Sequence, residues 1–323
     1  MMLRARTRPY APPRNSLGSR LRYAFTRHAV GYLFLLPALV DFALFAWYPM
    51  LKSFQLSFVH YQNNNLTAPT HWVGLDNFHH LFTDPMMLPS IGQVWWNTVE
   101  FTLYALALGY IVPISLALAI NEVRLGRSFF RVIFYVPVIL PTLVTTFVWK
   151  NVIYDPDPNG FLNNMLSWLH IGPQPFITDQ SQAMPCLVIV ATWAAAGGTM
   201  LIYLAALQGI PAQLYEAADI DGASLWGRLL YITLPQIRTV MLIMLLLQII
   251  ATMQVFVEPW TLTAGGGPNG ATTTVMVAIY NTAFGSTGNQ DWNEASALSL
   301  LLFLLLGFFS ILYYFVVRRF TER

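Results

Sequence analysis

Charge is scarce in this chain. Aspartate, glutamate, lysine and arginine make up 10% of its 323 residues, while hydrophobic residues make up 56% and the mean hydropathy is +0.52. A soluble globular domain carries about 25% charged residues, so the composition is that of an integral membrane protein. Cysteine is scarcer still: Cys186, inside an apolar run, is the single one, which excludes a disulfide within one chain. Lysine occurs only as Lys52 and Lys150, neither after a Gly-rich turn. A phosphate-cradling loop whose lysine reaches the nucleotide is therefore absent. No His-Glu-x-x-His pair and no Gly-x-Ser-x-Gly nucleophile elbow occurs. Asp76, His79 and His80 lie close together, but a metal needs three or four converging ligands, and a solvated loop accounts for them. The chain is expected to do no covalent chemistry, to bind no cofactor or metal itself, and to have no nucleic-acid partner.

What it has is long apolar runs. Counting segments of about 20 residues, the sequence predicts six spans: Ala29–Met50, Asn97–Ile120, Phe129–Ile153, Pro185–Leu207, Val240–Leu262 and Ala295–Val317. The fold class expected is all-α, six transmembrane helices with one polar loop on the cytoplasmic face. Residues 1–28 carry Arg4, Arg6, Arg8, Arg14, Arg20, Arg22 and Arg27 without an acidic residue. They read as a disordered leader ahead of a six-helix domain, 29–323. The first span is read as an uncleaved membrane helix, because it exceeds a signal-peptide core and ends in Trp47, Tyr48 and Pro49. Of the other basic residues, Arg124, Arg127, Arg131, Arg228, Arg238, Arg318, Arg319 and Arg323 fall on the same side as the leader, leaving Lys52 and Lys150 opposite. Basic residues mark the cytoplasmic side, so both termini and the connection between the fourth and fifth spans are expected there.

That connection, from Pro211 to Pro235, is a polar island between two apolar segments. Pro211 suits a first helical turn, and Ala212 to Ala218 are mostly helix formers. Gly222 is the place for a sharp turn. A second short helix is expected from Leu225 toward Ile232, stopping near Leu234 because a residue before proline avoids the α region. Glu216, Asp219 and Asp221 would reach a partner, and Leu214, Tyr215, Ala217 and Ala218 would offer a smaller packing surface. An acidic loop suits an anionic cytoplasmic membrane surface poorly. The series Glu216-Ala217-Ala218, three residues, Gly222, nine residues, Ile232-x-Leu234-Pro235 resembles the EAA loop in the membrane subunits of ATP-driven, binding-protein-dependent importers.

Other segments are similar to the carbohydrate-uptake permeases of that family, the maltose and glycerol-phosphate group. They are Tyr48-Pro49 with Ser57-Phe58, Trp72-Val73-Gly74-Leu75-Asp76-Asn77-Phe78, and Pro137, Pro141 and Trp149 with Gly160 and Asn163. The Gly-rich stretch Thr263 to Pro268 with Ala271 to Thr274 completes the set; where the group often reads TGGGP, this chain reads TAGGGP. The resemblance implies a multi-pass permease subunit in a bacterial or archaeal cytoplasmic (inner) membrane. Its implied partners are membrane lipid, two ATPase subunits holding ATP and magnesium, an extracytoplasmic solute-binding protein, and a second permease, expected to be a different chain. Glu216, Ala217, Ala218, Asp221, Gly222, Leu234 and Pro235 would form the ATPase-docking loop. Rival solutes are glycerol phosphate or a peptide, and the rival class is a membrane scaffold.

For the substrate path the residues themselves are informative. Asp41, Glu100 and Glu258 fall in or near apolar spans, where ionisable groups usually face a bundle interior or a water-filled cavity. Gln248, Gln254, Phe256 and Trp260 accompany Glu258. Gln254 and Glu258, four apart, are expected on one helical face. Carboxylates and amides hydrogen-bond sugar hydroxyls, and aromatic faces pack on pyranose C–H surfaces. Alternatively these groups sit at the outer interface or satisfy one another. Trp193, Asn97 and Asn281 are further candidates, of a type common as interfacial anchors.

Overall fold

The computed structural model describes residues 31–61, 70–83, 90–123, 125–285 and 290–321. The predicted leader, together with Arg124 and Arg323, lies outside them. Residues up to Gln55 form one unit and those from Leu56 onward another. The first unit holds helix α1, Gly31–Leu56, which continues past the predicted end at Met50. A π turn over Ala43–Trp47 explains how it passes Pro49: the turn closes with Tyr48 N–H donating to the Ala43 carbonyl. Such a wide turn absorbs the ladder bond that a proline cannot make.

The second unit opens on a two-stranded hairpin, β1 (Val59–His60) and β2 (His71–Trp72), with Val59 opposite Trp72. Helix α2, Asp76–Thr83, follows. Buried Asn77 donates to the carbonyls of Ser57 and Val59, each at 3.0 Å, and Phe58 stacks on Trp72 at 5.6 Å. The motif around Trp72 to Phe78 is thus a clasp for the hairpin. Helices α3 (Ile91–Glu122) and α7 (Ala183–Gln208) pack along each other. Their C-terminal halves share a core of Ile114, Ala117, Ile120, Met200, Tyr203, Leu204 and Ile237. Their N-terminal halves share another with Phe101, Leu187, Val190, Val255 and Leu262.

The third predicted span, Phe129–Ile153, is not one helix. It is α4, Arg127–Ile139, and α5, Thr142–Ile153, bent by 97° at the break. Leu140 is extended (φ −71°, ψ 133°) ahead of Pro141, as the Pro ring requires of its predecessor. Each half is shorter than the roughly 20 residues that cross a bilayer; six spans result only when the pair counts as one. Where α4 crosses α7, a Cβ on Gly197 would collide with the Phe134 carbonyl oxygen, the small-residue contact that lets membrane helices approach. Gly197→Ala is therefore expected to push α4 off α7 and destabilise the protein by about 1–3 kcal/mol. A lower midpoint in thermal unfolding of the detergent-solubilised chain checks this, with Gly198→Ala, whose Cβ would meet only Val138 side-chain atoms at 3.8 Å, as the mild control.

After α6 (Phe161–Ser167) and α7 comes the polar loop, with α8, Ala212–Ile220. The fifth span is far longer than Val240–Leu262, because one apolar helical stretch runs Leu225–Leu262. Its parts are α9 (Leu225–Arg228), a π turn (Leu229–Thr233), α10 (Leu234–Met253) and, after a break at Gln254 to Phe256, α11 (Val257–Leu262). The expected stop near Leu234 does not occur. The π turn ends two residues before Pro235, as another ends two residues before Pro49, and the helix carries on. A Gly-rich segment leads to α12, Val275–Phe284, which hydropathy left within a connection, and α13, Trp292–Thr321, is the last span. Leu81, Ile91, Val94, Val275, Leu298 and Leu302 form the core under α2 and α13.

Candidate functional site

The polar loop is a closed structure. Helix α8 ends at Ile220, and Gly222 adopts φ +68°. Gly222 N–H donates to the Asp219 carbonyl at 3.2 Å and Ala223 N–H to the Ala218 carbonyl at 2.9 Å. This pair of bonds is a Schellman cap. A Cβ at Gly222 would meet nothing within 4 Å, so the need for glycine lies in the backbone angle alone. Ser224 then caps α9 by accepting from Gly227 N–H at 3.2 Å. The two arms are tied by the Arg228–Asp219 ion pair, 2.5 Å, and by Tyr215 Oη against Thr233 Oγ1, 3.0 Å.

These ties decide which side chains remain outward. Glu216, Ala217, Asp221 and Gly222 are exposed. Ala218 is buried and Tyr215 half-buried, and Tyr215 and Asp219 each hold the second arm, through Thr233 and Arg228. The apolar surface is instead Leu214, Ala217 and Ile220, the last 88% exposed. Leu234 and Pro235 lie inside the helical run and serve its continuity. Ile220 escaped notice in the sequence because one apolar residue before a turn has no period to reveal it.

The second site is a cavity of about 470 Å³ between α3, α7 and α10. One wall is Phe101, Ala105, Gly109 and Pro113, spaced by four along α3 and therefore one stripe. Thr192 and Thr199 line it from α7, Gln248 and Thr252 from α10, and Gln254, Phe256 and Glu258 from the helix break. Gln248 donates its amide to the Ala105 carbonyl at 2.5 Å. A Cβ on Gly109 would stand 2.5 Å from that amide nitrogen and 3.6 Å from Thr192 Oγ1. Glycine there leaves room for the Gln248 amide to reach the Ala105 carbonyl, a role that no sequence pattern around Gly109 disclosed.

Gln254 and Glu258 do share this cavity, though not by the expected route. Gln254 has φ −106° and ψ 17°, Phe256 φ −135° and ψ −50°, so the helix is interrupted between them and the four-residue spacing does not define a face. The break itself turns both toward the space. Trp193 and Asn97 lie elsewhere. Trp193 packs edge-on against Trp149 at 5.6 Å. Asn97 is buried and donates to the carbonyls of Gly270, 2.8 Å, and Thr273, 3.0 Å. Its neighbour Thr98 accepts from Val275 N–H at 2.9 Å. Asn281 donates to the Gly265 carbonyl at 3.4 Å, and Glu100 is half-buried on α3.

The Gly-rich segment is thereby latched to the N-terminal part of α3. Gly265, Gly267 and Gly270 have positive φ, as do Ala264 and Asn269. A Cβ on Gly266 would come within 2.5 Å of Thr273 Oγ1, and Thr263 and Thr272 hydroxyls share a 2.7 Å bond. Asn163 plays a similar part in the connection before α7, donating to the Gln174 carbonyl at 3.1 Å while accepting from Gln174 N–H at 2.8 Å. Among the described residues no group of three potential metal ligands converges.

Comparison with known proteins agrees with this architecture. The family model described as "Binding-protein-dependent transport system inner membrane component" matches residues 109–323. The trehalose/maltose transport system permease protein MalF of Thermococcus litoralis is 33% identical over 302 residues, 93% of this chain and 96% of that protein. The diacetylchitobiose uptake system permease protein NgcF of Streptomyces coelicolor is 28% identical over 325 residues, 97% and 89% of the two chains. Among solved structures, a chain of a bacterial ABC transporter involved in the import of the acidic polysaccharide alginate superposes with TM-score 0.79 at 27% identity, covering 93% of this chain and 99% of that one. The same transporter bound to its alginate pentasaccharide-loaded periplasmic protein gives 0.80 at 26% identity, covering 94% and 99%.

Proposed function

This chain belongs to the binding-protein-dependent transport system inner membrane components, and from that premise we propose how it works as the permease subunit of an ATP-driven carbohydrate importer. The saccharide reaches it from an extracytoplasmic binding protein and leaves toward the cytoplasm. The observation that carries the reading is the capped helix Ala212–Ile220, braced onto the fifth span by Arg228–Asp219. Its outer face carries Glu216, Ala217, Ile220 and Asp221. A rigid handle on the end of a transmembrane helix is what a separate motor needs in order to move that helix.

In this reading two ATPase subunits hold ATP and magnesium and grip one such handle each, so a second permease, a different chain, supplies the other. The basic residues support cytoplasmic termini and a cytoplasmic handle. Closure of the ATPase pair displaces α8, and the braced arm carries the motion into the Leu225–Leu262 helix. The cavity, bounded by that same helix, changes its access from one side to the other, a two-state element biased by a ligand on a partner. Gln248, Thr252, Gln254 and Glu258 would line the sugar's route, with Phe256 offering a ring face.

The test is reconstitution of the permease pair with its ATPase subunits in proteoliposomes. ATP hydrolysis is expected to rise when a sugar-loaded binding protein is added outside, and Glu258→Ala is expected to lower uptake several-fold while the complex still assembles. Uptake unchanged in rate and apparent affinity would remove Glu258 from the route; hydrolysis indifferent to every loaded saccharide-binding protein would defeat the carbohydrate reading.

A further inference from the structure

The cavity's electrostatics narrow the class of sugar. Among the described residues that line it, Glu258 is the one acidic side chain, and no lysine, arginine or histidine joins it. The remaining polar groups are neutral: Thr192, Thr199, Gln248, Thr252 and Gln254. Two of them are already committed. Gln248 donates to the Ala105 carbonyl, and Thr252 Oγ1 donates to the carbonyls of Gln248 and Ile249 at 2.9 and 3.1 Å. Thr192 Oγ1, in contrast, is buried with no hydrogen-bond partner among the described residues, 3.6 Å from where a Cβ on Gly109 would stand. The walls between these groups are Ala, Leu, Met and Phe side chains, which do not screen charge. A site with one carboxylate, several uncharged hydrogen-bonding groups and apolar walls suits hydroxyl groups and repels an anion.

We infer that this permease passes saccharides that bear no carboxylate, and that Glu258, just after the helix break, enforces the exclusion by its field while Thr192 meets a hydroxyl. This rests on the carbohydrate reading above and adds a charge rule to it. The fold does not dictate the rule, since the structurally similar importer of alginate handles an acidic polysaccharide. A cleft lined by one sign of charge with apolar walls changes the local concentration of ions by tenfold or more, so the effect is measurable without knowing the sugar.

The experiment uses the assembled importer in proteoliposomes, with Cys186→Ala in this chain, cysteine-free partners, and Ala251→Cys as a reporter inside the cavity. The reaction rate of a trimethylammonium methanethiosulfonate is divided by that of its sulfonate counterpart and normalised to the same ratio for a free thiol. A normalised ratio of about ten in favour of the cation is expected, falling to about one in Glu258→Gln. A ratio near one with Glu258 present, or a preference for the anion, overturns the inference. A transport arm separates it from the reading beneath it. Uptake of a uronate oligosaccharide as fast as a neutral one overturns the charge rule and leaves the carbohydrate reading standing. Uptake of a non-saccharide solute sinks the carbohydrate reading, and with it the rule, even if the labelling ratio holds.

Discussion

Glu216→Lys is expected to cut coupled uptake by at least tenfold while leaving the permease inserted, assembled and thermally unchanged. Glu216 is exposed on α8, so its replacement disturbs neither the Schellman cap nor the brace between the arms. In the proposed docking, what it changes is the sign presented to the ATPase. Like charges placed together across an interface cost several kcal/mol, enough to loosen the grip on the handle. The companion substitution at Gly222 acts through the backbone. Valine there must hold φ near +68°, a left-handed conformation that costs an L-residue about 1–2 kcal/mol. With no neighbour to clash against, the strain is relieved by opening the cap, and Gly222→Asn, which tolerates this region, should retain most of the uptake that Gly222→Val loses. Initial uptake rates and hydrolysis rates measured side by side check both. Full transport by Glu216→Lys and Gly222→Val together would contradict the docking role.

The second large effect is at Asn97. Its amide nitrogen feeds the carbonyls of Gly270 and Thr273 in a buried position. Asn97→Ala leaves both acceptors without that donor, a loss of about 2–4 kcal/mol on the usual cost of an unsatisfied buried group. Asn97→Asp should be no better, because a carboxylate oxygen would replace the donor and face two carbonyl oxygens. Both variants are expected to lower the unfolding midpoint and to open the segment from Thr263 to Thr274 to protease before the helices melt. Unaltered melting and unaltered protease resistance in Asn97→Ala would show that the latch is redundant. Asn97 thus ties the Gly-rich segment to α3 through two backbone carbonyls.

The spans and the loop were legible in the sequence because each rests on a local signal: a run of apolar residues, or a proline, a glycine and an acidic residue at set offsets. What hydropathy does not carry is direction, so the 97° bend at Pro141 was invisible in an apolar run that looked uniform. Proline misled at Leu234-Pro235 for the opposite reason. Read alone it predicts a stop, but the π turn over Leu229–Thr233 removes the need for the missing N–H. At the cavity the expected route to a shared site fails in detail: Gln254 and Glu258 line the same space because the helix breaks, not because it continues. Gly109 and Thr192 left no trace in the sequence, since small residues spaced by four along a membrane helix serve packing as readily as they shape a cavity. Asn97 and Asn163 look like interfacial or ligand-binding amides until their partners, all backbone carbonyls and N–H groups, are known.

The most direct measurement of the central claim is a proximity one. A single cysteine at the exposed Asp221 position, in a Cys186→Ala background and reconstituted with the ATPase subunits, is expected to cross-link to an ATPase subunit with a short bifunctional reagent. It should also resist a membrane-impermeant thiol label applied from outside. A cysteine there that is labelled from the exterior, or that cross-links to no ATPase subunit in an importer active for transport, would contradict the account.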